Sequence, residues 1–336
     1  MRMVQRPRGN RRRLTDQLSH MLPIAVDAMG GDNAPSAILA GALEAAALGI
    51  PLLLVGPEGL EGTGDLPLLV ASEVIEMDDD PAQSVRRKRD STLVRAAEAV
   101  RDGKASAMIS AGNTGATMAS ALLRMGRISG VARPAIATPV PVPGGHPTVL
   151  LDAGANAEVQ AEWLVQFALM GSVYSQRRFG VENPRVGLLS IGEEPGKGDT
   201  LRKETYELLQ VAPGINFIGN VEGRDLMTGV VDVVVTDGFT GNVVLKTLEG
   251  SLRTVVKALF TAFGQPEYAD AANTLMPALL PLYETLDPDT YGGAILLGVD
   301  GVCIISHGSS SARAMLNGIK CAQEMVETGM VEAIRV

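Results

Sequence analysis

Three short loops that are rich in glycine and in Thr or Asn follow apolar runs of the chain. Ser110–Gly115 and Thr236–Gly241 both fit the pattern Ser/Thr-x-Gly-x-Thr-Gly, and Leu151–Asn156 is a loop of related type. Such loops can present free backbone N–H groups and a helix N-terminus to an anion. A purely structural interpretation is that the glycines allow tight turns and the Thr and Asn side chains cap helices. Because all three loops are expected on the same edge of one sheet, the pattern favours a cleft that binds phosphate.

Two further side chains could act on a bound anion. Lys197 lies between glycines in Gly192–Gly198 and could move toward an anion as a point charge, or it could be a solvated loop lysine. His307 precedes Gly308–Ser311, where a helix should begin, and could donate to phosphate or to a carbonyl oxygen. Its alternative role is helix capping. Because a carboxylate repels phosphate, we interpret the acids at predicted strand ends as orienting residues: Asp27, Asp32, Asp152 and Asp237.

Several catalytic classes lack their motif in this chain. The Gly-x-Gly-x-x-Gly fingerprint of dinucleotide binding and the Gly-x-Ser-x-Gly nucleophile elbow are absent, and Gly192–Gly198 is one residue short of a Walker A loop. The 2 cysteines and 3 histidines offer no zinc spacing. We therefore expect no cofactor and no metal. A reaction that brings its own nucleophile fits better, such as inorganic phosphate attacking an acyl thioester.

The elements that must position these residues alternate between apolar strands and helices. Fully apolar strands of this kind predict a largely parallel sheet covered by helices on both faces. In such sheets ligands gather at the carboxyl ends of the strands. The predicted strands are Ile24–Asp27, Leu52–Val55, Ala107–Ser110, Ala135–Val140, Val149–Asp152, Val186–Ile191, Val230–Thr236 and Val302–Ser306. The main predicted helices are Ala116–Met125, Glu158–Tyr174, Asp199–Leu209 and Ser309–Glu327.

Composition and charge narrow the partners. The chain has 336 residues, a net charge of -9 and 38 glycines, which suits an α/β enzyme with many strand-to-helix turns. No apolar run reaches the ~18 residues of a membrane span. Residues 1–20 carry 6 arginines and 1 aspartate, which predicts a basic disordered extension, while residues 21–336 form the catalytic domain. The acidic body argues against nucleic acid, and Cys303 and Cys321 indicate a reducing, cytoplasmic setting.

Two segments stand apart from this pattern. Arg86, Arg87, Lys88 and Arg89 form the one dense basic cluster in the acidic body. It could receive an acidic protein partner, or it could be a solvated helix face. The apolar stretch between residues 250 and 291 contains Pro277 and Pro281 and interrupts the alternation of strands and helices. It could pack on a second subunit, rest on a membrane surface, or form an ordinary helical hairpin of the core.

Seven motifs, in this order along the chain, together resemble one family, the phosphate acyltransferases (PlsX-type acyl-carrier-protein:phosphate acyltransferases). These are Ala25–Asp32, Ser110–Gly115, Leu150–Asn156, Gly219–Asp225, Thr236–Asn242 with Lys246–Gly250, Tyr291–Ala294 and Ser306–Ser310. The resemblance implies a Rossmann-like three-layer α/β/α fold of the isocitrate dehydrogenase and phosphotransacetylase type, with a helical excursion at about 250–290. It also implies transfer of a long-chain acyl group from acyl carrier protein to inorganic phosphate, which supplies acyl phosphate for phospholipid synthesis.

The same resemblance implies partners and site residues. The partners are acyl carrier protein, which would meet Arg86–Arg89, a second copy of the chain, the inner face of the membrane, and an acyl-phosphate:glycerol-3-phosphate acyltransferase. The catalytic candidates are Lys197, Asp237, Asn242 and His307. The candidates for binding phosphate or substrate are Gly30, Gly31, Asn113, Thr114, Gly115, Asn156, Asn220, Thr240, Gly241 and Ser309.

This chain departs from the family pattern at two places. Asn33 stands where the family usually has His after Gly-Gly-Asp, and because Asn can still donate a hydrogen bond, proton transfer is not expected there. The arginine-rich residues 1–20 have no counterpart in typical members. Two other functions fit the same features: an acetyl-coenzyme A:phosphate acetyltransferase, and a carrier-binding scaffold without catalysis.

Overall fold

The computed structural model describes residues 22–335 and contains one continuous sheet of eleven strands. The predicted basic extension at residues 1–20 lies outside the described residues. In chain order the strands are β1 (Ile24–Asp27), β2 (Leu52–Gly56), β3 (Leu68–Val70), β4 (Ala107–Ser110), β5 (Ala135–Val140), β6 (Thr148–Leu151), β7 (Arg185–Leu189), β8 (Asn216–Val221), β9 (Val233–Val235), β10 (Ala294–Leu297) and β11 (Val302–Ile305). Their spatial order is β3-β2-β1-β4-β11-β10-β5-β6-β9-β7-β8.

The sheet reverses direction at its centre. β3, β2, β1, β4 and β11 are mutually parallel, and so are β6, β9, β7 and β8. Between the two blocks, β10 is antiparallel to β11 and to β5, and β5 is antiparallel to β6. The two parallel blocks therefore run in opposite directions, and their strands end at opposite edges, which we call the first and the second edge.

This reversal corrects the expectation that all three glycine loops share one edge. Ser110–Gly115 follows β4 at the first edge, whereas the loops after β6 and β9 leave the second edge. The prediction assumed a uniformly parallel sheet. The antiparallel strand β10 was not recognised in the sequence, and it is one of the strands through which the direction of the second parallel block is reversed.

Helices cover both faces of the sheet, which confirms the predicted three-layer α/β class with a mainly parallel sheet. The helices are α1 (Ser36–Ala47), α2 (Pro81–Arg87), α3 (Thr92–Arg101), α4 (Thr114–Arg124), α5 (Ala161–Phe179), α6 (Thr200–Val211), α7 (Gly238–Phe263), α8 (Ala269–Leu286), α9 (Ala312–Glu327) and α10 (Met330–Ile334). One core contains side chains of α1, α5 and α9. On the other face α3 and α4 form a second core, and residues of α7 pack on a third.

Local sequence explains where most of these helices begin. Side chains that accept a hydrogen bond from the backbone two or three residues into the helix precede α2, α3, α4, α6, α7 and α9, at Asp80, Ser91, Asn113, Asp199, Asp237 and Ser311. Such caps satisfy N–H groups that have no partner within the helix. Asn113 and Asp237 belong to the two glycine loops, so these loops do cap helices.

The predicted excursion at about 250–290 is the outer part of a long helical hairpin. α7 has 26 residues and α8 has 18, and α8 continues through both Pro277 and Pro281. Only Gly238, Gly241 and Ala272 are buried in the two helices. Beyond the first turns of α7, which pack on the third core, the hairpin therefore extends away from the sheet and is not an ordinary part of the core.

Candidate active site

Three loops pack tightly together at the first edge of the sheet, after β1, β4 and β11. A Cβ atom on Gly30 would stand 2.6 Å from Asp27 Oδ2 and 2.8 Å from the backbone nitrogen of Gly112. Gly31 has φ +105°, and a Cβ atom there would lie 2.9 Å from the carbonyl oxygens of Ala111 and Gly308. Glycine is therefore required at both positions for close approach, and at Gly31 also for its backbone conformation.

A buried acid organises the centre of this edge. Asp27 is 2% exposed, and its Oδ2 accepts a hydrogen bond from Ser110 Oγ at 2.7 Å. Ser110 Oγ in turn accepts from the Gly112 N–H at 3.0 Å. Burial raises the pKa of Asp27, while the hydrogen bonds from Ser110 and Met29 act in the opposite direction. Asp27 is thus an orienting residue, as expected, because it aligns the start of the Ser110–Gly115 loop.

The rest of that loop leads into α4. Asn113 Oδ1 accepts from the Ala116 N–H at 3.0 Å, and Asn113 Nδ2 donates to the carbonyl oxygens of Met77 and Asp79 at 2.9 and 3.2 Å. Its side chain is therefore occupied by the protein, and its carbonyl oxygen accepts from Thr117, so that the backbone N–H of Asn113 is the group left for a ligand. Thr114 is exposed at the first position of α4. Gly115 leaves room for Pro81, whose Cγ would be 2.7 Å from an added Cβ atom.

His307 lies exposed in the third loop of the first edge. Its Nδ1 lies 2.9 Å from Ser309 Oγ and accepts from the Ser309 N–H at 3.3 Å. In the neutral ring the proton therefore sits on Nε2, where it can be donated to another group. Asn33 Nδ2 donates to the carbonyl oxygens of Ser309 and Ser310, both at 3.2 Å. The residue that replaces the family's histidine thus acts as the expected hydrogen-bond donor and holds the His307 loop.

A second buried acid shapes the loop after β6, at the second edge. The carboxylate of Asp152 accepts from the backbone N–H groups of Ile136, Gly154, Ala155 and Asn156, and from Asn156 Nδ2, at 2.7 to 3.1 Å. Asn156 Nδ2 also donates to the carbonyl oxygen of Pro134 at 2.8 Å. Asn156 was predicted to bind phosphate, but its side-chain amide donates both hydrogens to other groups of the protein.

The loop after β9 contains a buried ion pair. Arg202 from α6 pairs with Asp237, and their side chains are 12% and 8% exposed. Asp237 also accepts from the Thr240 N–H and from Thr240 Oγ1, both at 2.8 Å. Burial alone would raise the pKa of Asp237, but the hydrogen bonds from Thr240 and the charge of Arg202 lower it below its usual value. Asp237 and Thr240 thus fix the start of α7, and with it the neighbouring Asn242.

Gly241 permits the contact between the two loops of the second edge. A Cβ atom on Gly241 would overlap the carbonyl oxygen of Asp152, and the Gly238 N–H donates to the carbonyl oxygen of Asn156 at 2.7 Å. Gly154 approaches the side chain of Asn242. Asn242 is exposed on α7, with its side chain beside Gly154.

A cavity of about 590 Å³ brings the two edges together over the central strands. Its wall includes Thr114, His307 and Ser309 from the first edge and Asn242 from the second. The strand β5 contributes Ile136, Thr138 and Val140 to its floor. The first turns of α7 contribute Asn242, Leu245 and Leu248 to the same lining, so residues from both edges meet in one cavity despite the reversal of strand direction. Polar donors and an apolar wall therefore share one pocket of ligand size.

Lys197 and Asn220 lie outside the lining of this cavity. Lys197 is exposed in the Gly192–Gly198 loop and forms no ion pair with residues 22–335. Asn220 is 6% exposed and donates through Nδ2 to the carbonyl oxygen of Glu194 in the same loop, at 2.9 Å. Its Oδ1 is buried without a hydrogen-bond partner in the described part of the chain. The Gly192–Gly198 loop is thus bound to the end of β8, and it lies beside Arg202 at the second edge.

Known proteins of one family are similar to this chain over nearly its whole length. Residues 22–333 match the family model described as "Fatty acid synthesis protein". A relative from Desulfitobacterium hafniense (strain Y51), named phosphate acyltransferase, is 50% identical over 329 residues that cover 94% of this chain and 97% of the relative. A phosphate acyltransferase from Elusimicrobium minutum is 49% identical over 328 residues, covering 93% and 94%. The chain belongs to the phosphate acyltransferase family.

Solved structures with low sequence identity to this chain share its fold. A phosphotransacetylase from Streptococcus pyogenes superimposes with a TM-score of 0.62 over 94% of this chain and 99% of that chain, at 16% identity. A branched-chain phosphotransacylase from Enterococcus faecalis V583 gives a TM-score of 0.61 over 91% and 99%, at 15% identity. This likeness confirms the predicted fold type, and the family relationship identifies the chain as an acyltransferase connected with fatty acid synthesis.

The basic cluster Arg86–Arg89 presents fewer free charges than the sequence suggests. Lys88 pairs with Asp79 at 2.6 Å and donates to the carbonyl oxygen of Val74 at 2.8 Å, so its charge stabilises the local fold. Arg86, Arg87 and Arg89 are exposed and make no ion pair with residues 22–335. The cluster therefore presents three arginines at the end of α2.

Arg202 was not predicted from the sequence as a residue of the site. Its spacing from Asp199 at the start of α6 marks a helix turn, and nothing in the sequence pairs it with Asp237, 35 positions further on. Within residues 22–335 no group of three or more His, Cys, Asp or Glu side chains could hold a metal ion. The catalytic and binding roles of the sequence-selected residues stay predictions.

Replacing Arg202 by Gln should lower the free energy of unfolding by about 3 kcal/mol, because it leaves the Asp237 carboxylate buried without its partner. Arg224→Gln is the control, since the Arg224 side chain is 68% exposed and pairs with Glu193 on the surface. That control should change stability by less than ~0.5 kcal/mol. Urea denaturation at neutral pH measures both, and equal effects would contradict a buried pair.

The pH dependence gives a second readout of the same pair. A carboxyl whose folded pKa is lowered contributes stability above its unfolded pKa of ~3.9 and loses it as the pH falls through the folded value. The wild type should therefore lose this contribution below about pH 4. Arg202→Gln should lose less stability than the wild type over that acid range.

Proposed function

We propose that this chain transfers a long-chain fatty acyl group from acyl carrier protein to inorganic phosphate and releases acyl phosphate for phospholipid synthesis. The observation that carries the proposal is the cavity that joins Thr114, Asn242 and His307 to an apolar wall. A substrate with a polar thioester and a long hydrocarbon chain needs both surfaces. Membership of the phosphate acyltransferase family supports the reaction class.

The reaction needs a cradle for phosphate and donors for the developing oxyanion. An oxygen of hydrogen phosphate attacks the thioester carbon and the carbonyl oxygen becomes negative. The bond to sulfur then breaks to give acyl phosphate and the carrier thiolate, and the proton of the hydrogen phosphate converts the thiolate to the thiol. The helices α4 and α7 both begin beside the cavity, where Thr114 and Asn242 line it. Because the N-terminus of a helix favours negative charge, both helices could stabilise a bound phosphate. His307 Nε2–H and the Asn242 amide can donate to phosphate or to the oxyanion.

Lys197 would supply mobile positive charge to this reaction. In the present arrangement its exposed loop lies outside the cavity lining, with glycine on both sides. Because Asn220 binds the same loop at Glu194, the two residues form one unit beside the second edge. We propose that this unit contacts phosphate or the thioester when substrate is bound.

The decisive test incubates the purified full chain with palmitoyl acyl carrier protein and inorganic phosphate. We expect acyl phosphate, trapped as the hydroxamate, and an equal amount of free carrier thiol. Lys197→Ala should keep the fold and the binding of carrier but lower the rate about 100-fold or more. Lys203→Ala, an exposed lysine of α6, is the matched control. Absence of both products would refute the function, and turnover with acetyl-coenzyme A alone would indicate the acetyltransferase instead.

The carrier protein would meet the exposed arginines at the end of α2. Asn113 Nδ2 binds the segment before α2 through the carbonyl oxygens of Met77 and Asp79, and Pro81 packs on Gly115. This cluster therefore lies directly beside one of the glycine loops of the cavity. Positive charge at this place would steer an acidic carrier toward the site.

Charge reversal tests this surface. Arg86→Glu combined with Arg87→Glu should raise KM for acyl carrier protein at low salt about tenfold, because like charges then repel the acidic partner. KM for the same acyl chain on coenzyme A should not change. Arg177→Glu, at an exposed position of α5, is the control and should leave both values unaltered. An equal rise for both substrates would place the carrier elsewhere.

The helical hairpin would contact the membrane. Its exposed apolar side chains include Val255, Leu259, Leu275, Leu280 and Leu282, and Arg253 and Lys257 lie exposed among them. Apolar residues flanked by cations favour the surface of an anionic bilayer. Among residues 22–335 no helix is both long and apolar enough to cross a membrane. The same hairpin is also the surface on which we expect a second copy of the chain to pack.

Liposome flotation tests the membrane contact. Leu275→Asp combined with Leu280→Asp should reduce the fraction of protein bound to anionic vesicles several-fold, because each substitution places a charge where an apolar side chain enters the interface. Val211→Asp is the control, since Val211 is 78% exposed on α6, away from the hairpin. If the double variant floats as well as the wild type, the hairpin is not the contact.

A further inference from the structure

The wall of the cavity along α7 contains an apolar stripe that is bordered by the charged side chains of Lys246, Glu249, Arg253 and Lys257. Leu245, Leu248, Leu252 and Val256 recur every three or four residues, so they share one face of the helix. Tyr283 and Leu286 of α8 line the cavity as well. We call this part of the cavity the α7 groove. The neighbouring Val255 is 57% exposed and does not line the cavity.

The inner end of the α7 groove is continuous with the polar part of the site. Asn242 lies one turn before Leu245 on the same helix, and both line one cavity with Thr114 and His307. The charged side chains near this end neutralise each other, since Lys246 pairs with Glu249 at 2.8 Å. A molecule held at Asn242 can therefore extend along the apolar stripe past this neutralised pair, and it meets the cations Arg253 and Lys257 only further out along α7.

The length of the groove corresponds to a fatty acyl chain. The distance from Leu245 to Val256 along the helix is about 16 Å, at about 1.5 Å per residue. A methylene in an extended chain advances by about 1.25 Å, given a carbon–carbon bond of about 1.5 Å and a near-tetrahedral angle. The groove thus accommodates about 13 methylene carbons beyond the polar end. The cavity volume of about 590 Å³ also lies within the usual range for ligand pockets.

We infer that the α7 groove binds the acyl chain of the substrate, with the thioester at the Asn242 end and the terminal methyl group near Val256. This assignment rests on the proposed function and deepens it. α7 thereby sets the chain length that the site accepts. Leu252 lies beside the middle of the chain, and Val256 lies beside its last carbons.

Binding of thioether analogues tests the groove separately from catalysis. Equilibrium Kd values are measured with the full chain for non-hydrolysable coenzyme A thioethers that carry 8, 12 or 16 carbons. Leu252→Trp should weaken binding of the 16-carbon analogue about tenfold or more relative to the 8-carbon analogue, because the distal methylenes lose their apolar contact. Val256→Trp should affect the 16-carbon analogue and spare the 12-carbon one. Val255→Trp, the adjacent control, should change none of these ratios.

The outcomes separate this inference from the proposed function. The inference would be overturned if the ratios of Kd between the long and short analogues stayed at the wild-type value in both groove variants while the helical circular dichroism signal remained intact. Unchanged ratios together with an altered mass by light scattering would assign the groove to a second copy of the chain and overturn it equally. The Kd ratios could change with chain length as expected while palmitoyl acyl carrier protein gives no acyl phosphate. That result would support the groove and refute the proposed reaction.

Discussion

A buried carboxylate must be surrounded by hydrogen-bond donors, because its desolvation otherwise costs several kcal/mol. Here that requirement is met by the loops of the site themselves. Asp27, Asp152 and Asp237 each lie at the end of a strand and accept N–H or O–H groups from the residues that follow or from a neighbouring loop. The loops cannot relax without exposing an unsatisfied charge to the core. Backbone geometry near the cavity is therefore held by electrostatics as much as by packing.

This arrangement explains how two edges of one sheet can serve one site. Asp27 organises the first edge and Asp152 the second, and each does so independently of the other. Asp152 also accepts from the Ile136 N–H of β5, whose side chain forms part of the cavity floor. The antiparallel strands β10 and β5 thus join two separately ordered halves beneath the pocket. Arg202 extends the same network to α6, beside the loop that carries Lys197.

The sequence was most informative where a signal is local. Fully buried strands such as β1 and β4 appear as short apolar runs that end in one polar residue, and capping residues mark the starts of α4 and α7. Strand direction is a long-range property, so the reversal at β10 could not be inferred from β10 alone. The pairing of Arg202 with Asp237 is long-range for the same reason. Asn113 and Asn156 were correctly placed in loops, but the partners that occupy their amides lie in other segments.

The helical hairpin has a thermodynamic consequence that follows from its few buried residues. Only three positions of α7 and α8 are buried, so in an isolated chain the hairpin should open locally at a low free-energy cost. A ligand that binds only the ordered hairpin stabilises it by mass action, by about 2.7 kcal/mol at a hundred times its Kd. The local unfolding of Gly238–Leu286 and the binding of ligands to its surfaces are therefore linked equilibria. Amide hydrogen exchange in this segment would report a bound chain, bilayer or subunit even when no reaction takes place.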